Sequence, residues 1–109
     1  MSIADKLKER IAFQAKSFHV TEWDTDVYCT PFTCGELDKL QKRHPGFLNN
    51  LAGEAMVDLI VMKALDENGK QLFTLKEKPY LLREEATVIN DVASKLIAQT
   101  GLEDTPEKN

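Results

Sequence analysis

Cysteine is scarce: Cys29 and Cys34 are the only two in 109 residues. The first sixteen residues, MSIADKLKERIAFQAK, mix charged and apolar residues and lack the unbroken apolar core of a signal peptide. Export is therefore not expected, and the thiols read as reduced cytoplasmic ones rather than as a disulfide. A long hydrophobic run is missing too. The most apolar stretch, Met56 to Leu65, is interrupted by Asp58 and Lys63. It is about half the roughly 20 residues that a spanning helix requires, so it reads as a buried helix. Positive charge is not in excess: 18 acidic residues against 14 basic give a net charge of −4. That balance offers no footprint for nucleic acid or for an anionic membrane. A glycine-rich phosphate loop and a Ser-His-Asp order are also absent, and the sequence points away from an enzyme.

What is present is the material for one compact domain, 42% hydrophobic, with little room for a second. Ile3, Leu7 and Ile11 recur every fourth residue among Lys6, Lys8, Glu9 and Arg10, which predicts an amphipathic N-terminal helix over residues 1–16. SFHVTEW and VYCTPF, separated by DTD, predict a β-hairpin over 17–32, with Pro31 ending the second strand or placing it at an edge. Thr33 and Glu36 match a capping box, opening a short helix that HPG at 44–46 stops. Leu48, Leu51, Ala55, Leu59 and Met62 form one stripe, widened by Ala52, Met56 and Ile60, for a central helix. Asn68-Gly69 then turns the chain so that Leu72 and Phe73 pack back. Thr74 and Glu77 are a second capping-box match, limited by Pro79 to about one turn. A last helix is predicted from Arg83 to Thr100, with Ile89, Val92 and Leu96 on one stripe and Ala86, Ala93 and Ile97 beside it. The expected class is α+β, mostly helical: the N-terminal helix, one hairpin, then three to four helices in 33–102 around a single core. Residues 103–109 read as a disordered tail.

Each chemistry-bearing residue also has a plainer role. His19, Cys29, Cys34 and His44 are the four zinc-type ligands, but the histidines flank the cysteines instead of following as a pair. Two small buried thiols and two surface imidazoles are the expectation, with no metal and no cofactor. Cys34 falls in the first turn of a helix, where a thiol can be activated, yet nothing local supplies a base. Asp66, Asn68 and Glu77 match positions one, three and twelve of a calcium loop; Lys70 and Gln71 stand where its fifth and sixth positions need an oxygen ligand and glycine. Glu84 and Glu85 read as carboxylates at a helix start. Trp23, the single tryptophan, is either a binding anchor or a lid on the hairpin. With Ile3, Leu7, Ile11, Phe47 and Tyr80 it makes up the set expected to meet a partner.

The order FHVTEWDTDVYCTPFTCGELDKLQ, an apolar helix, ALDENGKQLFTLKE and LLREEATVINDVASKLIAQTGL resembles the tail assembly chaperones of long-tailed bacteriophages and their prophage relatives, over about residues 17–102. The matching residues are Val20 and Trp23; Phe32, Thr33 and Glu36; Asp66, Gly69, Leu72, Phe73 and Thr74; and Ile89, Val92 and Leu96. Thr30 stands where the family often has a basic residue, and Pro79 falls in a stretch that the family usually keeps helical. The resemblance implies a non-catalytic helper in the cytoplasm of the infected host, absent from the mature virion. Its implied partners are the tape measure protein and, through a longer frameshifted form, the tail tube protein; coating a long client through many weak copies also calls for self-association, for which the amphipathic first helix is the expected element. Glu107-Lys108-Asn109 is compatible with a slippery codon run. A structural tail or connector component is the competing reading.

Overall fold

A computed structural model describes residues 2–6, 16–47, 49 and 53–100. Residues 3–6 are helical, and Ile3 is 72% exposed. Leu7 and Ile11, the remainder of the predicted N-terminal face, lie outside the described residues, as does the expected tail.

The hairpin pairs β1 (Lys16–Val20) with β2 (Thr25–Cys29) in antiparallel register, Phe18 opposite Val27 and His19 opposite Asp26. Alternation explains that register. Val20, Val27 and Cys29 are buried and Phe18 half-buried, so the apolar members face inward. On the outer face, His19 Nδ1 lies 2.8 Å from Asp26 Oδ1. The turn therefore falls earlier than DTD: Thr25 and Asp26 belong to β2, and a 3₁₀ turn over Thr21–Trp23 makes the connection. Asp24 closes it in the left-handed region, at φ 50°, a conformation that aspartate tolerates better than most residues.

Helix α1 (Cys34–Arg43) starts as expected: Glu36 N–H donates to Thr33 Oγ1 at 3.1 Å, and Thr33 N–H to Glu36 Oε1 at 3.0 Å. It stops before His44-Pro45-Gly46, and Gly46 has φ 76°. Helix α2 (Glu54–Lys63) begins later than the stripe from Leu48 implied, because Gly53, at φ 57°, precedes it outside helical geometry. Leu48, Leu51 and Ala52 lie outside the described residues. Nor does α2 bury one stripe alone. Val57, Asp58, Leu59, Ile60, Val61 and Lys63 are all buried, since α2 is packed against α1 and against both helices that follow.

Leaving α2, Leu65 exchanges two backbone hydrogen bonds with Tyr28, at 2.7 and 2.8 Å. The turn follows as predicted, with Gly69 at φ 84°. Asp66 Oδ1 accepts from the N–H groups of Asn68 and Lys70, an Asx-type lock. Gln71 Nε2 donates to the Val61 carbonyl, and Leu72 N–H to that of Ala64. Thr74 N–H donates to Glu77 Oε1, but the hydroxyl donates to the same oxygen, so only half of the second capping box forms. Pro79 does not end a helix from Thr74. It lies in the first turn of α3 (Lys78–Leu82), where a missing N–H removes nothing. Arg83 and Glu84 complete that turn, which is why α4 (Ala86–Thr100) starts three residues later than predicted. Val88, Ile89, Val92, Ala93 and Leu96 of α4 are buried and Ile97 is half-buried; Ala86, in the first turn, is exposed. Helix α4 packs on α2 and reaches both strands, so a single core joins hairpin and helices. The α+β expectation holds, with four helices after the hairpin among the described residues.

Candidate partner-binding groove

Aromatic residues remain at the surface where the hairpin turn meets α3. Trp23, Thr25, Leu72, Phe73, Glu77, Tyr80, Leu81 and Glu84 line a groove of about 390 Å³. Its floor exists because the glycine turn returns Leu72 and Phe73 toward the hairpin, both half-buried against the core. Its wall exists because the 3₁₀ turn projects Trp23. The indole N–H donates to Glu84 Oε2 at 2.7 Å, and the ring meets Phe73 edge-on, centroids 5.4 Å apart and planes at 71°. A half-buried tryptophan needs such an acceptor, and holding the ring in one place lowers the entropy lost on binding. Tyr80 stands at the rim, 72% exposed.

Both carboxylates of the groove are held ionised. Glu84 titrates below the ordinary glutamate range, first because Trp23 donates to it and then because the Glu85 N–H does. Glu77 is lowered in the same direction by the Thr74 N–H and then its hydroxyl. Among the described lining residues there is no lysine, arginine or histidine.

Of the six residues expected to meet a partner, Trp23 and Tyr80 come together here. Ile3 is exposed elsewhere in the sequence, and Leu7 and Ile11 lie outside the described residues. Phe47 is 1% exposed and belongs to the core, so it presents no surface to a partner. Leu72, Phe73, Glu77 and Glu84 are the members that sequence reasoning gave other roles. A signal did exist for Glu84: a tryptophan beside a turn needs an acceptor for its N–H, though the acceptor lies 61 residues away. Leu75 and Leu82 are exposed apolar residues that no pattern singled out.

Two further clusters of polar side chains among the described residues are internally satisfied. Asp58, 7% exposed, meets His44 Nε2 at 2.6 Å, Lys78 Nζ at 2.8 Å and Arg43 Nε at 3.3 Å. Burial alone would raise its pKa; hydrogen bonds from His44 and Lys78, with the charges of Lys78 and Arg43, outweigh that and lower it. Lys78 also pairs with Glu54, and its pKa is raised by the hydrogen bonds to Asp58 and then Glu54. Lys63 Nζ, at the other end of α2, donates to Glu36 Oε1 at 2.8 Å, Thr30 Oγ1 at 3.2 Å and the Pro31 carbonyl at 3.3 Å, and lies 5.0 Å from the Phe32 ring centroid. His44 is thus a half-buried partner of Asp58, not a surface imidazole, because α2 brings a buried carboxylate against it. Of the thiols, Cys29 is buried and Cys34 exposed on the first turn of α1, so only one matches the expectation. Burial pushes the Cys29 thiol up, against the partly opposing charges of Lys63 and Lys16. Among the described residues no helix is long and apolar enough to cross a membrane.

No family model matches the chain, and no curated protein sequence does. Among solved structures, that of the bacteriophage HK97 tail assembly chaperone is similar, with a TM-score of 0.54 and 20% sequence identity over 90% of this chain and 92% of that one. At that identity the likeness is one of fold, and it is the fold that the family resemblance implied.

Proposed function

We propose that this chain is a phage tail assembly chaperone, which binds the tape measure protein and keeps it soluble while the tail tube forms around it. The observation that carries the reading is the shared fold with the HK97 tail assembly chaperone along nearly the whole of both chains. The groove at Trp23 and Tyr80 supplies a physical means: a preformed apolar surface that receives the apolar face of a client helix. Each contact is small, so a long client is held by many copies acting together.

Self-association belongs to this mechanism, with Ile3, Leu7 and Ile11 as its face. A longer frameshifted form brings in the tail tube protein. The chain works in the cytoplasm of the infected host and leaves before the virion is complete. No catalytic step is needed, because coating a client requires only reversible contact.

The test is co-expression with the tape measure protein of the same phage, followed by affinity capture of one through the other. Higher soluble yield and a recovered complex are expected. A client equally soluble alone, with no complex captured, removes the chaperone role; finding the chain in purified particles would make it a virion component instead.

A further inference from the structure

We infer that the groove selects a helix whose apolar anchor is flanked by lysine or arginine. This rests on the chaperone reading and names the chemistry of its client. Three features of the groove converge on it.

The groove is apolar in its floor and anionic at its edge. Leu72, Phe73 and Leu81 offer apolar contact, while Glu77 and Glu84 are kept ionised by the bonds that they accept. Those bonds do not exhaust either carboxylate, which has about four acceptor positions. Glu77 uses Oε1 for both Thr74 contacts, and Glu84 takes one N–H on each oxygen. No described lining residue neutralises the pair; Lys78, next to Glu77 in sequence, is committed to Glu54 and Asp58, and Lys76, on its other side, acts on Glu77 through its charge without lining the groove. The aromatic rings of Trp23 and Tyr80 complete the site, since ring faces attract cations. A lysine or arginine matches all three at once: its aliphatic stem covers apolar surface while its head reaches the carboxylates. An acidic helix would bring like charge to the same edge.

Trp23 is the only tryptophan, so its emission reports occupancy without a label. The full-length chain is titrated with two helical peptides that share leucine positions, one flanked by lysines and the other by glutamates. At low ionic strength the lysine peptide is expected to shift Trp23 emission and bind at least about fivefold more tightly, a preference that shrinks as salt shortens the screening length. Glu77→Gln, at a carboxylate that bonds Thr74 while the Trp23 indole bonds Glu84, should lower the preference to about twofold with the emission of the free protein unchanged.

Equal affinity for the two peptides, no binding of either, or a preference unaltered in E77Q would overturn the inference. So would an emission shift that depends on protein concentration alone, which would give the groove to a second copy. The two proposals fail separately. Client rescue without charge preference sinks this inference only; charge preference without client rescue sinks the chaperone reading only.

Discussion

Helix α2 and the groove beside α3 break the ordinary distribution of side chains in opposite ways. Along α2, charge is buried: Lys63 is 1% exposed and Asp58 7%. At the groove, Tyr80, an aromatic residue, is left 72% exposed. The difference lies in how completely each exception is satisfied. Lys63 has a carboxylate, a hydroxyl, a carbonyl and a ring around it, and Asp58 has an ammonium, a guanidinium and an imidazole. Those charges tie the helix to the strand exit, to α1 and to α3. Tyr80 and the rim carboxylates keep unused capacity within the described chain, and that is what a partner can exploit. A buried charge with every partner present is therefore a structural joint, whereas an exposed aromatic beside incompletely used acceptors is what the proposed docking role requires.

Lys63→Ala should break the structural side of this contrast most severely. It removes the ammonium's bonds to Glu36, Thr30 and the Pro31 carbonyl, leaving Glu36 with the Thr33 N–H, and opens space beside Phe32, so a loss of about 2–4 kcal/mol is expected in the urea unfolding free energy. Lys63→Met removes the same charge but keeps the volume, so it should lose about 1–2 kcal/mol less than Lys63→Ala, the difference being the packing that the longer side chain restores.

The acid limb comes next. The folded pKa of Asp58 lies below its unfolded value of about 3.9. Its stabilisation is therefore present above that pH and is lost as the pH falls through the folded pKa. Glu77 and Glu84 act in the same direction. The urea midpoint should fall in acid, less steeply in Asp58→Asn than in the parent. Lys78 has the opposite sign: raised in the fold, it stabilises below about pH 10.4, and that contribution is lost as the pH rises through its folded pKa.

Thr33→Ala removes one side of the capping box and should cost about 1 kcal/mol in the same unfolding measurement, leaving the groove unchanged. The smallest effect on stability should come from the groove itself. Tyr80→Ala should leave unfolding within about 0.5 kcal/mol of the parent, yet weaken client capture about tenfold, as loss of an interface anchor does. Stability and binding would then separate at one residue.

Local chemistry made much of the fold legible. Thr33 and Glu36 lie three residues apart and declare a helix start; Asn68-Gly69 declares a reversal; Ile89, Val92 and Leu96 declare a buried face. In each case cause and effect lie within a few residues. The burial of Asp58 and Lys63 was not legible, because their partners arrive from separate segments: His44 and Lys78 at one end of α2, Thr30 and Glu36 at the other. The hairpin turn shifted for a related reason. DTD has turn chemistry, but the inward positions of Val27 and Cys29 set the register and carried Thr25 and Asp26 into β2. Of the groove, the sequence disclosed the two aromatics and hid the carboxylates, since composition marks a lone tryptophan while only folding brings Glu84 to it. Phe47 shows the reverse error: an aromatic after a helix stop reads as available, yet the chain turns it into the core.

The most direct test is hydrogen exchange of the full-length chain with and without a tape measure fragment. New protection is predicted in two segments distant in sequence, residues 21–25 and 72–84, with α2 no more protected than before. Protection elsewhere, with both groove segments exchanging as in the free chain, would contradict the assignment of binding to this surface.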